Sequence, residues 1–124
     1  MTVYAVNLPY ADANSLVAPD CRPDDGNIHL LVIRKGATKA GLLQALNNVE
    51  TGGHLGVEHV ELLKVRAVRL EPAQKAAKKS NKSNNEDETL SAGKMVVDGE
   101  LIECGPVHVS VLPSAARIAA KRPE

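Results

Sequence analysis

Short apolar runs separated by turn-forming residues make up most of the chain. Residues 2–7 form one such run, and residues 28–33 form another that is apolar throughout except for His29. A continuous apolar run of this length is typical of a strand that is buried on both faces. Residues 107–112 are a further strand-like run. The pattern therefore predicts a series of short strands, and the prolines between residues 9 and 26 predict a loop between the first two.

A different pattern covers residues 60–70, where apolar and charged residues alternate from Leu63 onward. Alternation with a period of two predicts a strand with one buried and one exposed face. Lys64, Arg66 and Arg69 would be available to solvent or to a partner. We therefore predict one half-buried strand over this whole range.

One helix is predicted after Thr38, which is a suitable N-cap residue, and it is expected to end at Gly52-Gly53. Gly41 and the Asn47-Asn48 pair are weak helix formers, so the helix depends on packing. Four aliphatic residues share one face: Leu42, Leu43, Leu46 and Val49. Leucine at helical spacing usually packs in the core, and the alternative is that this face lines an apolar ligand pocket.

Residues 95–102 have the pattern of two apolar strands joined by Asp98-Gly99. A two-residue type I′ turn needs positive φ at both central positions, and Asp-Gly adopts it readily. The turn would hold Asp98 and Glu100 close together at the hairpin end. Ionised carboxylates only accept hydrogen bonds, so the pair could bind hydroxyls, amino groups or a metal ion but not a bare phosphate. The alternative is that these residues form the turn and nothing more.

The composition changes over residues 73–92, which are rich in Lys, Ser, Asn and acidic residues. Such a polar tract cannot bury enough apolar surface to offset its conformational entropy, so it predicts a disordered insertion between two strands. Its lysines could contact anionic lipid headgroups. However, Glu86-Asp87-Glu88 follows them directly and favours a solvated loop.

Together the runs predict a mainly β fold with one helix, arranged as an antiparallel β-sandwich. A chain of 124 residues is long enough for one domain and too short for two ordinary ones. Its 15 Lys and Arg balance its 15 Asp and Glu, and it has two Tyr but no Phe or Trp. Without a basic field or stacking rings, the chain is not expected to bind nucleic acid.

The sequence has neither an apolar run of membrane-spanning length nor the pattern of a signal peptide. Cys21 and Cys104 lie far apart along the chain. Without an export signal, they are expected to be buried thiols rather than a disulfide. We therefore expect a cytoplasmic protein.

The residue types that usually carry catalysis form no recognisable constellation. The four histidines lack the spacing of a triad, and His54 with His59 is too sparse a pair for a zinc site. Gly52-Gly53 follows a helix, whereas phosphate-binding glycine loops precede one. Asp24-Asp25-Gly26 could bind a cation, although a turn before a strand accounts for it fully. We therefore assign no catalytic residue and no metal ligand.

Three tracts taken together resemble a known family. They are residues 18–30 with Asp24-Asp25-Gly26, then residues 50–55 with the Arg66–Pro72 tract, and finally Val97-Asp98-Gly99-Glu100. In this order and spacing they resemble the C-terminal domain of sphingosine kinases, which belong to the diacylglycerol kinase-like lipid kinases. Asp-Gly-Glu alone is a weak signal, whereas Arg-x-x-Arg-Leu-Glu-Pro followed by Val-Asp-Gly-Glu is fairly specific. The resemblance implies that the chain forms part of a β-sandwich domain.

The resemblance also implies an activity, the transfer of the ATP γ-phosphate, with Mg²⁺, to the primary hydroxyl of sphingosine. By resemblance, Asp98, Gly99 and Glu100 match the stretch that reaches the nucleotide, where a carboxylate can accept from ribose or adenine or order a metal-bound water. Asn47 and Asn48 depart from the bulkier or aromatic residues that the family often carries on this helix. The implied partners are a sphingoid-base lipid and, peripherally, a membrane. The residues that match the lipid-tail pocket are Leu42, Leu43, Leu46, Val49, His54 and Leu55.

In this family the glycine-rich nucleotide loop and the catalytic base belong to an N-terminal domain that has no counterpart in the chain. We therefore expect the chain alone to be catalytically inert and to need a catalytic domain in cis or in trans. It would then be a fragment, a truncated product or one half of a split kinase. The alternative is a non-catalytic interaction or lipid-binding module derived from the same domain. An incomplete sandwich would expose an edge and apolar surface, so we also expect association.

Overall fold

Seven strands and one α-helix form the regular structure of residues 1–72, 94–115 and 117, the part of the chain that this computed structural model describes. The strand pairs with an assigned register are antiparallel, so the predicted mainly β fold with one helix is confirmed and fits a partial β-sandwich. The predicted disordered insertion at residues 73–92 lies outside the described residues. Two 3₁₀ helices follow the α-helix, Val49–Thr51 and Gly53–Gly56. The remaining elements are β1 (Thr2–Val6), β2 (Ile28–Ile33), α1 (Lys39–Asn47), β3 (Val60–Val65), β4 (Ala67–Leu70), β5 (Met95–Val97), β6 (Glu100–Ile102) and β7 (Val107–Ser110).

The chain divides into two units. Among the described residues, 1–67, 110–115 and 117 belong to the first unit, and 68–72 and 94–109 belong to the second. The strands β1, β2 and β3 and the helix α1 belong to the first unit, whereas the hairpin of β5 and β6 belongs to the second.

β2 is the central strand of a three-stranded antiparallel sheet in the order β1-β2-β3. Tyr4 of β1 lies opposite Leu31, and Leu63 of β3 lies opposite Leu30. Adjacent residues of a strand point to opposite faces, and both His29 and Leu30 are buried. The predicted burial of this strand on both faces is therefore confirmed.

The predicted single strand over residues 60–70 is wrong, because the structure divides it into β3 and β4 at Arg66. β3 pairs with β2, whereas β4 forms a separate two-stranded sheet with β7. The backbone N–H of Val111 donates to the carbonyl of Arg66 at 3.1 Å. The chain thus changes strand partner at Arg66, and this change depends on which strands pair rather than on the residues of this range alone.

α1 begins where the sequence predicts but ends earlier. The side-chain oxygen of Thr38 accepts a hydrogen bond from the backbone N–H of Gly41 at 3.0 Å and so caps the helix. The α-helix ends at Asn47, and the first 3₁₀ helix continues the chain to Gly52. Gly52 has a φ of 75°, a left-handed conformation that glycine adopts without strain. The glycine stop that the sequence predicts is therefore the end of the 3₁₀ helix.

The buried residues of the described chain lie in the first unit. Ala45 of α1 packs with Val57 and Val60 in one cluster, against which Leu31 is partly buried. The helix thus meets this cluster through the small side chain of Ala45, whereas Leu43 and Leu46 stay exposed. The other buried residues are Val17, Ala18, Cys21, Ile28, His29, Leu30, Val32 and His54.

β5 and β6 form the predicted hairpin. Val97 pairs with Glu100, which leaves Asp98 and Gly99 as the two turn residues. Their φ angles are 48° and 87°, both positive as a type I′ turn requires. The predicted turn is therefore confirmed.

Candidate functional site

The predicted lipid-pocket residues of α1 differ in exposure. Leu43 is 60% exposed and Leu46 is 69% exposed, whereas Leu42 and Val49 are half-buried. The prediction of one core-packed face is therefore wrong for Leu43 and Leu46, because α1 meets its unit along the side that carries Ala45. Two leucines remain free to contact a ligand or another chain.

The two other predicted lipid-pocket residues, His54 and Leu55, lie in the 3₁₀ helix Gly53–Gly56. This 3₁₀ helix contacts α1, so the structure brings the two parts of the predicted pocket onto neighbouring elements of one unit. Leu55 is half-buried, and the ring of His54 is buried. The spacing of these residues along the chain does not reveal this contact.

The segment before β2 contributes contacts that sequence reasoning missed. The ring Nε2 of His54 lies 3.0 Å from the carbonyl oxygen of Val17. The backbone N–H of Leu16 donates to the carbonyl of Val49 at 3.1 Å. A Cβ placed on Gly52 would come within 2.8 Å of the ring of Pro19, so the two segments pack closely. The sequence of residues 16–19 does not signal this packing, because these residues form the hydrogen bonds through their backbone groups.

The predicted nucleotide contacts lie at the tip of the hairpin in the second unit. Asp98, Gly99 and Glu100 are all exposed. Behind the tip, the paired residues Val96 and Leu101 are 58% and 69% exposed. The hairpin thus offers two acidic acceptor groups on a fixed turn, with apolar side chains beside them.

Asp25 is the centre of a charged cluster that the sequence does not predict. Its Oδ2 lies 2.9 Å from Nε2 of the buried His29 and 3.0 Å from Nζ of Lys64, and its Oδ1 accepts from the backbone N–H of Asn27 at 2.8 Å. The hydrogen bond to His29 and then the bond to Lys64 hold the pKa of Asp25 well below its usual range. Because these donors bind both carboxylate oxygens, Asp25 clamps the turn before β2 to Lys64 of β3.

The signal for this cluster is present in the sequence only in part. Asp25 and His29 are four residues apart, but Lys64 reaches them through the pairing of β2 with β3, in which His29 lies opposite Lys64. Lys64, predicted to be free for solvent or a partner, is thus already bound. Arg66 and Arg69 are exposed as predicted, and Arg69 donates to Glu71 at 2.7 Å.

Both cysteines are free thiols. Cys21 is buried and Cys104 is half-buried. Burial raises the pKa of the Cys21 thiol, and the nearby Asp25 carboxylate raises it further. Cys21 is one of the buried residues of the first unit, so its side chain serves packing.

The described residues contain no group of three or more His, Cys, Asp or Glu placed to hold a metal ion. Within the same residues, no helix has the length and apolar character needed to cross a membrane.

Antiparallel strands with a single α-helix in the described residues are consistent with a partial β-sandwich domain. Residues 1–120 match the family model of the YegS C-terminal NAD kinase beta sandwich-like domain. The chain belongs to this family.

Named relatives narrow the comparison to lipid kinases. The chain is 30% identical to sphingosine kinase 2 of Homo sapiens over 121 residues, which is 96% of this chain and 16% of that protein. It is 30% identical to sphingosine kinase 1 of Arabidopsis thaliana over 105 residues, 85% of this chain and 19% of that protein. Sphingoid long-chain bases kinase 1 of Arabidopsis thaliana is 30% identical over 112 residues, 90% of this chain and 13% of that protein.

The chain therefore spans less than a fifth of the length of each of these relatives. The resemblance to the C-terminal domain of sphingosine kinases is confirmed, since the family model and the named relatives cover most of the chain.

Proposed function

We propose that this chain is the lipid- and nucleotide-contacting part of a kinase that phosphorylates a sphingoid base with ATP. It would act together with a catalytic domain supplied in cis or in trans. One observation carries the proposal. The matches to proteins named sphingosine kinase or sphingoid long-chain bases kinase extend over 85–96% of the length of this chain, at 30% identity.

The helix α1 and the following 3₁₀ helix would hold the alkyl chain of the base. Leu43 and Leu46 expose most of their surface, so contact with an alkyl chain removes apolar area from water. Each leucine would contribute roughly 1 kcal/mol to lipid binding, given that full burial of a leucine is worth about 1.5–3 kcal/mol. Leu42, Val49 and Leu55 are half-buried and would complete the apolar wall.

The hairpin would contact the nucleotide. Its acceptor groups are suited to this role, since the carboxylates of Asp98 and Glu100 can accept hydrogen bonds from ribose hydroxyls or the adenine amino group, or order a water bound to Mg²⁺. ATP with Mg²⁺ supplies the phosphoryl group when it is bound. The two carboxylates are not suited to the phosphates themselves, because like charges repel.

The isolated chain is expected to be inactive. Phosphoryl transfer depends on groups that position and neutralise the phosphates. The chain carries no glycine-rich loop ahead of α1 that could do this. The role of this chain is therefore to bind and position the substrates. We also propose that the chain acts in the cytoplasm and contacts membranes peripherally, because long-chain bases reside in membranes.

Lipid and nucleotide binding can be tested separately. We expect labelled sphingosine to bind the chain and Leu43→Asp to weaken this binding severalfold, because a charge would face the alkyl chain. Leu112→Asp is the matched control, since Leu112 is also exposed, at 75% against 60% for Leu43, and lies outside the predicted pocket. Equal loss of binding in both variants, or no binding by the unmodified chain, would contradict the lipid assignment.

The nucleotide assignment requires the complete kinase. With the catalytic domain present, Glu100→Gln should raise the KM for ATP severalfold while the KM for the lipid stays constant. Glu103→Gln, which alters an exposed acid beyond the hairpin, is the control. An unchanged KM for ATP in Glu100→Gln would remove this residue from the nucleotide site.

A second candidate is a non-catalytic lipid-binding module. The exposed Leu43 and Leu46 favour it as much as they favour the kinase part, because apolar contact requires no phosphate-binding group. The two functions separate when a catalytic domain is added. Turnover of sphingosine supports the kinase, whereas lipid binding without turnover supports the module.

A further inference from the structure

The exposed side of α1 carries four side chains at helical spacing, here called the α1 stripe. They are Lys39, Leu43, Leu46 and Glu50, which follow one another at intervals of four, three and four residues. Side chains at these intervals lie on one side of a helix, and the first 3₁₀ helix continues the chain to Glu50. All four are exposed. The α1 stripe therefore has two leucines in the middle, a cation at one end and an anion at the other.

The α1 stripe is complementary to a second copy of itself. We consider two copies of α1 that lie antiparallel, related by a two-fold axis midway between residues 44 and 45. Leu43 then lies opposite Leu46 of the second copy, and Lys39 lies opposite Glu50 of the second copy. In a two-fold contact each such pair occurs twice. Each leucine thus meets a leucine, and each charge meets the opposite charge.

The two charges are unfavourable for the helix that carries them. The N-terminus of a helix is partially positive and its C-terminus is partially negative. Lys39 is nevertheless the first residue of α1, and Glu50 lies just beyond its C-terminal end. Against an antiparallel second copy, Lys39 lies near a negative helix end and Glu50 near a positive one. The second copy thus offsets an electrostatic penalty that α1 alone leaves in place.

Both charges are also free to pair. Neither Lys39 nor Glu50 forms an ion pair with another of the described residues. In contrast, Arg34 and Glu61 on the neighbouring strands bind each other at 2.7 Å. An alkyl chain could cover the two leucines, but it would leave both charges without a partner. A second copy of the chain satisfies all four side chains.

We propose that the α1 stripe is the contact between two copies of this chain. The copies pack antiparallel through Leu43 and Leu46, and Lys39 of each forms an ion pair with Glu50 of the other. Four side chains from each copy are far fewer than the roughly 20–30 residues per side of a standard interface. The dimer is therefore weak, and it exchanges with the monomer as the protein concentration changes.

The dimer and the long-chain base compete for the same surface. Leu43 and Leu46 contact the alkyl chain in the proposed function, so a bound base releases the monomer and a dimer holds the lipid-free chain. This consequence rests on the proposed function, whereas the dimer itself does not.

Sedimentation equilibrium of the full chain tests the contact at low ionic strength, where exposed ion pairs are least screened. Lys39→Glu and Glu50→Lys should each lower the association constant roughly threefold to tenfold, because two attractions become two repulsions. The variant that carries both substitutions should recover the association constant of the unmodified chain. Lys35→Glu is the matched control, since it makes the same charge change at an exposed lysine outside the α1 stripe and should leave association intact.

Unfolding does not explain the expected loss, since Lys39→Glu places an acid at the helix N-terminus, where an acid is favourable. The inference would be overturned by a chain that stays monomeric at all concentrations. A double variant that associates no more tightly than the single variants would also overturn it. Sphingosine should reduce the association of the unmodified chain. Sphingosine that binds without this effect would overturn its assignment to α1 and leave the dimer standing.

Discussion

At the scale of single residues, His59 occupies a backbone conformation that glycine usually takes. The N–H of Val60 donates to the carbonyl of Val57 at 3.1 Å, which closes a turn with His59 at its third position. The φ of His59 is 68°, and a positive φ at this position favours glycine or asparagine. A side chain in this left-handed region costs about 1–2 kcal/mol.

We therefore expect His59→Gly to raise the free energy of unfolding by about 0.5–1 kcal/mol, because relief of this strain exceeds the added entropy of the unfolded chain. Urea denaturation measures the change. His59→Ala is the control, since it removes the same ring but keeps a Cβ, and it should not stabilise. A glycine variant no more stable than the alanine variant would contradict this account.

Asp25 makes stability depend on acid. Its pKa is lowered in the fold, chiefly by the hydrogen bond from His29 and then by Lys64. A lowered pKa means that the stabilisation is fully present above the unfolded value of about 3.9. It is lost as the pH falls below that value toward the pKa of the folded state.

At pH values above the pKa of a free aspartate side chain, we expect Asp25→Asn to lower the melting temperature. As the pH falls below that pKa, the difference in melting temperature between the variant and the unmodified chain should become smaller. Melting curves at a series of pH values measure this. Asp24→Asn changes the exposed neighbour and should leave the pH profile intact. A gap that stays constant with pH would show that Asp25 acts only through its shape.

At the scale of elements, the sequence predicted best the strands, helix ends and turns whose signal lies in their own residues. β2 has the predicted bounds, and Thr38 caps α1 through its own hydroxyl. The Asp98-Gly99 turn forms because its two residues tolerate positive φ. The sequence does not predict the break between β3 and β4 at Arg66. This break depends on strand pairing, since β3 pairs with β2 and β4 pairs with β7.

The junction between the two 3₁₀ helices allows a paired glycine test. Gly52 has a positive φ, and a Cβ there would lie 2.8 Å from the ring of Pro19. We expect Gly52→Ala to lower the free energy of unfolding by about 1–3 kcal/mol, through backbone strain and overpacking. Gly56→Ala should be tolerated, since nothing lies within 4 Å of its Cβ position.

Urea denaturation of the two variants provides the comparison. Similar losses for Gly52→Ala and Gly56→Ala would contradict the close packing of the junction on Pro19. Because His54 lies in the second of these 3₁₀ helices, Gly52→Ala should also weaken lipid binding, whereas Gly56→Ala should not.

At the scale of the whole molecule, the exposed apolar surface is the feature with the largest consequence. Leu43 and Leu46 are exposed on α1, and β1 is an edge strand with Tyr4 at 46% exposure. Exposed apolar patches and open edges favour association. The association that the sequence predicts remains a prediction, and α1 is the place to test it.

Leu46→Lys should reduce association of the purified chain, measured by sedimentation at increasing concentration, because the substitution places a charge on an exposed side chain. The free energy of unfolding should change by about 0.5 kcal/mol or less, as expected for a surface substitution. Ala45→Lys is the contrasting variant, and it should unfold the chain, since Ala45 is buried. Unchanged association of Leu46→Lys would place the contact elsewhere.

The residues of the candidate site could be predicted only where sequence motifs resemble those of a known family. The Asp98 turn and the histidine next to Gly53 could be named from the sequence, but the sequence did not show that His54 is buried or that Val17 binds it. The charged clamp around Asp25 was missed because Lys64 joins it through the register of β2 and β3. Contacts between residues far apart in the chain leave no local pattern.

By itself, the sequence determined the first two strands, the start of the helix and the acidic turn, because periodicity, capping and backbone preference act over a few residues. Only the tertiary structure decided that α1 packs through Ala45 and leaves Leu43 and Leu46 exposed. It alone decided that His54 is held by one nitrogen. The physical reason is that burial and hydrogen-bond pairing depend on which distant segments meet, and helical spacing marks an apolar side without saying what covers it.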